Sequence, residues 1–97
     1  MKHANIRKVR IVGARCSSQD DLHDYLAKQL DFPEYYGNNL SALADCLSEI
    51  CEPTLISVSI DEEELEPGMQ AYLLRFVQVC AREALANENL YLSIDHL

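Results

Sequence analysis

The spacing of hydrophobic and polar positions changes along this chain, and it predicts three strands separated by helices. Residues 8–13 alternate Val9 and Ile11 with polar or charged neighbours and end at a glycine, which indicates a first strand. Residues 54–60 are rich in β-branched side chains and predict a buried strand. Residues 90–95 predict a last strand by the same criteria.

Apolar positions at the 3.6-residue spacing of a helix fill the segments between these strands. A first helix follows the N-cap pattern of Ser17 and Ser18. A second helix is predicted from about residue 39 to residue 50 by its stripe of leucines. A third is predicted over residues 67–87, with Pro67 at a position that suits a helix start.

The order of elements predicts the fold class. Strands joined through helices favour parallel pairing with right-handed crossovers. We therefore expect an α/β fold, a three-stranded parallel sheet packed with three to four helices. A chain of 97 residues has the size of one domain, so residues 1–97 are expected to form a single unit.

The net charge of −8 is unevenly distributed. Residues 1–15 hold five of the eight basic residues and no acid, whereas residues 16–97 hold all 16 acids and three bases, a net charge of −13. Such a surface repels the phosphates of nucleic acids and membranes and attracts basic partners. Nucleic-acid binding through the basic first 15 residues is a weaker alternative. No apolar run approaches the ~20 residues of a membrane span and no signal sequence is apparent, so we expect a cytoplasmic location.

Motifs for catalysis, metals or cofactors are missing from the sequence. The four cysteines form no C-x-x-C pair, and there is no phosphate-binding glycine loop or nucleophile elbow. An enzyme would have to use Cys16, which precedes a helix N-terminus, or His23, which the pattern places on the polar surface beside Asp24. Neither has a predicted partner set, so we expect no enzymatic activity and no cofactor.

A cluster of residues typical of protein interfaces lies near the middle of the chain. Tyr35 and Tyr36 occupy a loop, and tyrosine is enriched at interfaces because it is large, stiff and polar at its tip. Asp45 falls opposite the apolar stripe of the second helix, so it should be exposed. Glu83 lies near the end of the third helix, where a carboxylate opposes the helix dipole and stability does not require it. The alternative is that one tyrosine packs in the core and the charges only aid solubility.

Residues 33–47 follow the pattern P-E-Y-Y-G-x-N-L-x-A-L-x-D-C-L, and in this segment the chain resembles the barstar family of ribonuclease inhibitors. The tripeptide at residues 82–84 and the order of strands and helices are also similar, so the resemblance covers nearly the whole chain. It implies a barstar-like domain that binds and blocks the active site of a basic extracellular-type ribonuclease from the same cell.

The resemblance also implies roles for particular residues. Tyr35 would stack on a group of the enzyme's active site, and Asp45 would take the place of a substrate phosphate among its basic residues. Gly37 and Asn39 would allow close approach and hydrogen bonding, and Glu83 would supply an outlying charge contact. The remaining positions expected at this partner-binding face are Tyr36, Ser41, Ala44 and Ser48.

The chain departs from the family pattern at two of these positions. Ser41 stands where barstar has a second aspartate, and Ala44 stands where it has a tryptophan. An aromatic residue after the helix is missing too. Charged and large aromatic residues are common hot spots of binding. These changes therefore leave three alternatives open: a diverged ribonuclease, a lower affinity, or another basic protein as the partner. The free chain is expected to be a monomer.

Overall fold

The computed structural model describes residues 5–96, and in them the predicted order of strands and helices is confirmed. The elements in chain order are β1 (Arg7–Ile11), α1 (Gln19–Leu30), α2 (Leu40–Ser48), β2 (Thr54–Ser59), α3 (Met69–Ala86) and β3 (Leu90–His96). Two short 3-10 turns, at Gly13–Arg15 and Glu62–Glu64, lie between them. No helix in this part of the chain is long and apolar enough to cross a bilayer.

The three strands form one parallel sheet, as predicted, and their order in the sheet is β1-β2-β3. In this sheet Val9, Ile56 and Leu92 are neighbours across the strands. Val9 and Ile56 are buried, and Leu92 packs against the core. The alternate side chains, such as Lys8 and Tyr91, are exposed. Because side chains alternate between the faces of a strand, the core lies on one face of the sheet.

The hydrophobic core fills the space between that face and the helices. Each helix contributes the apolar stripe that its spacing predicts, and none of the Asp, Glu, Lys and Arg side chains whose burial is described lies buried in the core. The largest fully buried apolar side chains are Ile11, Leu22, Leu26, Leu43, Leu47, Ile56, Ile60, Leu73 and Phe76.

Two predicted helix boundaries are wrong, the first because of a local backbone conformation and the second where a distant side chain binds the end of the helix. Helix α3 begins at Met69 and not at Pro67, because Gly68 adopts a left-handed conformation (φ 90°) that a helix cannot contain. Helix α2 ends at Ser48, and Asn87 then donates hydrogen bonds to the carbonyls of Leu47 and Ile50 (2.9 Å each). The Leu47 carbonyl also accepts from the amide of Ile50 (3.3 Å), and the Asn87 side chain supplies a further donor where the regular helix has ended.

Candidate protein-binding site

The loop between α1 and α2 turns one tyrosine outward and the next one inward. Asp31 ends α1 in the left-handed conformation (φ 55°), and the amide of Tyr36 closes a turn onto the carbonyl of Pro33 (2.9 Å). Tyr35 is 88 % exposed, whereas Tyr36 packs against the core and its ring lies 4.8 Å from that of Phe32. The loop therefore presents one large aromatic side chain to solvent.

On the inner side of the loop, Tyr36 forms a hydrogen-bonded triad with the buried His23 and with Tyr72, and both tyrosines are half-buried. The Nδ1 atom of His23 lies 2.5 Å from the hydroxyl of Tyr36, and its Nε2 atom lies 2.6 Å from the hydroxyl of Tyr72. A neutral imidazole has one donor and one acceptor nitrogen, and a hydroxyl can serve either. The triad thus joins α1, the loop and α3.

The prediction that His23 lies on the surface is wrong. His23 is fully buried, because the two tyrosine hydroxyls satisfy both ring nitrogens and so remove the cost of taking a polar ring from water. Burial lowers the pKa of His23, and the nearby carboxylates of Asp20 and Asp24 only partly oppose this effect. Burial also raises the pKa of Tyr36, so its hydroxyl stays protonated.

Asn38 holds the other end of the loop against α1. It adopts a left-handed conformation (φ 50°), and its side chain donates to Asp24 (3.0 Å) and Asp20 (3.3 Å). Asn39 then caps α2 by accepting from the Ala42 amide (2.8 Å). The loop enters α2 with both of its asparagines engaged.

Gly37 is needed here because of space. Asn39 also donates to the carbonyl of Gly37 (3.0 Å). A Cβ atom at Gly37 would lie 2.9 Å from the side-chain nitrogen that makes this bond. A larger residue would therefore push the Asn39 side chain aside, which favours glycine independently of any partner.

Helix α2 presents Asp45 to solvent, as its spacing predicts. Ser41, one turn earlier, is also exposed, and Ala44 is half-buried. The hydroxyl of Ser48 donates to the backbone carbonyl of Asp45 (2.7 Å), so this predicted site residue is already engaged within the helix. The exposed face of α2 thus carries one carboxylate and small neighbours.

A groove of about 330 Å³ beside Tyr35 was not foreseen from the sequence. Besides Tyr35 and Cys46 its lining includes the carboxylates of Asp31, Glu49 and Glu52. Burial, with the Glu49 and Asp45 carboxylates, raises the pKa of the Cys46 thiol. Glu49 follows Asp45 by one helical turn, a signal that could have indicated it. Asp31 and Glu52 lie far apart in sequence, and only the fold brings them together.

Glu83 lies on α3, the helix that packs beside α2, and is half-buried. Its backbone carbonyl accepts from the amide of Asn87 (2.8 Å), whose side chain binds the end of α2. The structure thus places Glu83 on the helix next to the one that carries Asp45.

Cys16 and His23, the two residues that an enzyme would have to use, are both buried. Cys16 is buried and donates to the carbonyl of Val12 (3.4 Å), and burial raises the pKa of its thiol to about 11. A protonated, enclosed thiol is a poor nucleophile. His23 is enclosed by its two tyrosines. Within this part of the chain no group of three or more His, Cys, Asp or Glu side chains could hold a metal ion.

Fold and site together define a class of small α/β proteins that have an exposed carboxylate on α2 and an exposed aromatic side chain on the loop before it. The family model described as "Barstar (barnase inhibitor)" matches residues 6–92. The chain belongs to this family, as the motif in residues 33–47 indicates.

A curated relative shares part of this sequence. It is a protein of Bacillus subtilis (strain 168) named "Putative ribonuclease inhibitor YrdF", 51 % identical over 43 residues. That match covers 44 % of this chain and 47 % of the relative, so the chain spans about half the length of the curated relative it matches.

Proposed function

We propose that this chain is a protein inhibitor of a basic ribonuclease, and that Asp45 occupies the position of an RNA phosphate in the enzyme's active site. The observation that carries the proposal is the exposure of Asp45 on α2, with Tyr35 exposed on the loop that leads into that helix. Family membership and the name of the Bacillus subtilis relative support a ribonuclease as the partner.

The surface charge favours such a partner. A ribonuclease active site is basic because it binds phosphates, and residues 16–97 carry a net charge of −13. Opposite charges accelerate association, and added salt screens them. We expect the association rate to fall steeply between about 0.05 and 0.5 M salt, with a smaller change in the dissociation rate. Four unpaired thiols suit action in the reducing cytoplasm, which is part of this proposal.

The experiment compares two exposed acids. Basic ribonucleases purified from the host's culture medium, with barnase as a reference, are assayed on a fluorogenic RNA substrate in the presence of the chain. We expect inhibition competitive with RNA. Asp45→Ala should weaken it by about 30- to 5,000-fold, the range for truncating one partner of a buried charge pair (about 2–5 kcal/mol). Glu63→Ala, an exposed acid in a 3-10 turn, is the matched control and should change little. Equal inhibition by the two variants would remove Asp45 from the interface.

A second candidate is a protein-binding module for a different basic partner. Ser41 and Ala44 favour this candidate. They leave the exposed side of α2 with fewer charges than barstar has there and with no aromatic side chain on the helix itself. Affinity capture from host lysate and medium separates the candidates. Capture of a basic protein that is not a ribonuclease, with no inhibition of RNA cleavage, would replace the first proposal by the second.

A further inference from the structure

The two edges of the sheet differ in charge. Strands β1 and β3 each pair only with β2 in the described part of the chain, so both edges present backbone groups without a strand partner. The β1 edge carries Arg7, Lys8 and Arg10, which discourage pairing with another strand. Residues 90–94 of β3 carry no charge, so this part of the edge lacks such protection, whereas Asp95 and a shift in register limit pairing beyond it.

Apolar side chains surround the unprotected edge. Leu85 is 92 % exposed, Tyr91 50 % and Ile94 47 %. Between α3 and the start of β3 lies a groove of about 430 Å³ without a charged residue, in a chain of which 25 % is charged. Its lining residues are Ala81, Ala84, Leu85, Leu90, Tyr91 and Leu92.

We propose that the edge of β3 binds a second copy of this chain, so that two sheets join into one six-stranded sheet. The two β3 strands would run antiparallel about a two-fold axis at Leu92. The register of β2 and β3 shifts after Ile94, and Asp95 has no partner on β2. Such a bulge limits regular pairing to residues 90–94, and only an axis at Leu92 pairs all five of these residues with their counterparts.

This register brings a side chain to the groove. It places Leu90 opposite Ile94 of the second copy, and residues directly opposite in antiparallel strands point to the same face. Leu90 lines the groove, so Ile94 of the second copy meets an apolar surface there. Both exposed isoleucines of the pair lose contact with water. The β3 edges pair their backbone groups except for the Leu90 amide, which already donates to the carbonyl of Asn87 (3.0 Å).

Other pairings of edges are less favourable. Two β1 strands paired antiparallel about Val9 would place Lys8 opposite Arg10, and like charges directly opposite repel. A contact between β1 and β3 would be head-to-tail and would continue into a filament. Helical spacing puts Glu83 on one flank of the buried stripe of α3 and the groove residues Ala81 and Ala84 on the other flank. The dimer therefore leaves the candidate protein-binding site free.

The contact area sets the expected affinity. Five strand residues span about 17 Å, and a strand with its covering helix is about 15 Å high, giving roughly 250 Å² per copy. A standard interface needs about 800 Å² per partner. We therefore expect a weak dimer with a dissociation constant on the order of 100 µM. The monomer expected from the sequence is then the form at low concentration.

Sedimentation equilibrium of the full chain from about 10 µM to about 1 mM tests this dimer. We expect Leu85→Lys and Ile94→Lys to weaken association about tenfold or more. Leu85 is so exposed that its variant should fold normally. Ile6→Lys is the matched control, because Ile6 is 48 % exposed, close to Ile94, but precedes β1. Association of this variant should be unchanged. Backbone amides of β3 that do not bind β2 should exchange more slowly at high concentration.

Three results would overturn the dimer: a monomer at every concentration, association that both lysine variants retain, or association that Ile6→Lys abolishes. None of them bears on ribonuclease inhibition, which is measured at low concentration with a different partner.

Discussion

Tyr35 and Tyr36 are adjacent in sequence and have opposite surroundings. The ring of Tyr35 is almost wholly in solvent, whereas Tyr36 packs on Phe32 and its hydroxyl meets His23 in the interior. The same division runs through the next turn, where Asn38 is bound to α1 and Asp45 on the following helix is exposed. One side of this segment has its polar groups satisfied within the chain, and the other side has its large or charged groups in water.

This difference between the two sides indicates that the candidate binding surface is preorganised. A loop loses conformational entropy when it is ordered, either on folding or on binding. The affinity for a partner is higher when the loop is already ordered in the free protein. The triad of His23, Tyr36 and Tyr72, together with the bonds of Asn38, fixes the loop from behind. Inner residues should therefore govern stability, and outer residues should govern affinity.

The largest expected effect separates the two tyrosines. Tyr36→Phe removes the hydroxyl that meets Nδ1 of His23 and leaves a buried nitrogen without a partner, which should lower the free energy of unfolding by about 1–3 kcal/mol. Tyr35→Phe, the matched control, should change it by less than about 0.5 kcal/mol. Urea denaturation followed by circular dichroism measures both.

Affinity should show the reverse order. Tyr35→Ala is expected to weaken ribonuclease binding by more than about 1 kcal/mol, as for an aromatic hot spot, without destabilising the fold. If Tyr36→Phe weakens binding more than Tyr35→Ala under conditions where both are folded, the division between inner and outer residues does not hold.

The next effect concerns pH and the buried histidine. Burial lowers the pKa of His23 in the folded state, whereas the unfolded chain has the ordinary value near 6.5. Below about pH 6.5 the unfolded chain therefore binds a proton that the folded chain does not, and the free energy of unfolding falls as the pH drops towards the folded pKa. The slope for one proton approaches about 1.4 kcal/mol per pH unit.

Urea denaturation at about pH 7.5, 6.5 and 5.5 measures this slope, with His23→Gln as the comparison. Glutamine does not titrate, so the variant should lose most of the dependence in this range. An unchanged slope would assign the titration to other groups and would contradict a neutral, buried His23.

The smallest difference between matched variants should come from Asn38. Asn38→Ala loses two hydrogen bonds to exposed carboxylates and places a Cβ-bearing residue without a compensating bond in the left-handed region, at an expected cost of about 1–2 kcal/mol. Asn38→Gly loses the same bonds but not the backbone preference, so it should recover about 1 kcal/mol of that cost. Equal stability of the two variants would show that the left-handed backbone at this position is not strained.

Much of the fold follows from local pattern, because each element buries its own apolar stripe. The leucines of α2 and the β-branched residues of β2 predicted both elements and the parallel sheet. The exact ends of the helices do not follow from the pattern of apolar residues, because a single residue can decide them, as Gly68 does at the start of α3. At the site, helical spacing predicted that Asp45 is exposed, and two adjacent tyrosines indicated the loop without saying which of them faces outward.

By itself the order of residues determined the strands, the helices and the family motif, which depend on neighbours within a few positions, and the net charge, which depends on composition alone. Only the packed chain decided that His23 is enclosed, that Asp31, Glu49 and Glu52 share a groove, and that the edge of β3 is unprotected. The physical reason is that the environment of a polar group is set by partners from distant segments. A histidine between a leucine and an aspartate looks the same in the sequence whether or not two tyrosines meet its ring in the fold.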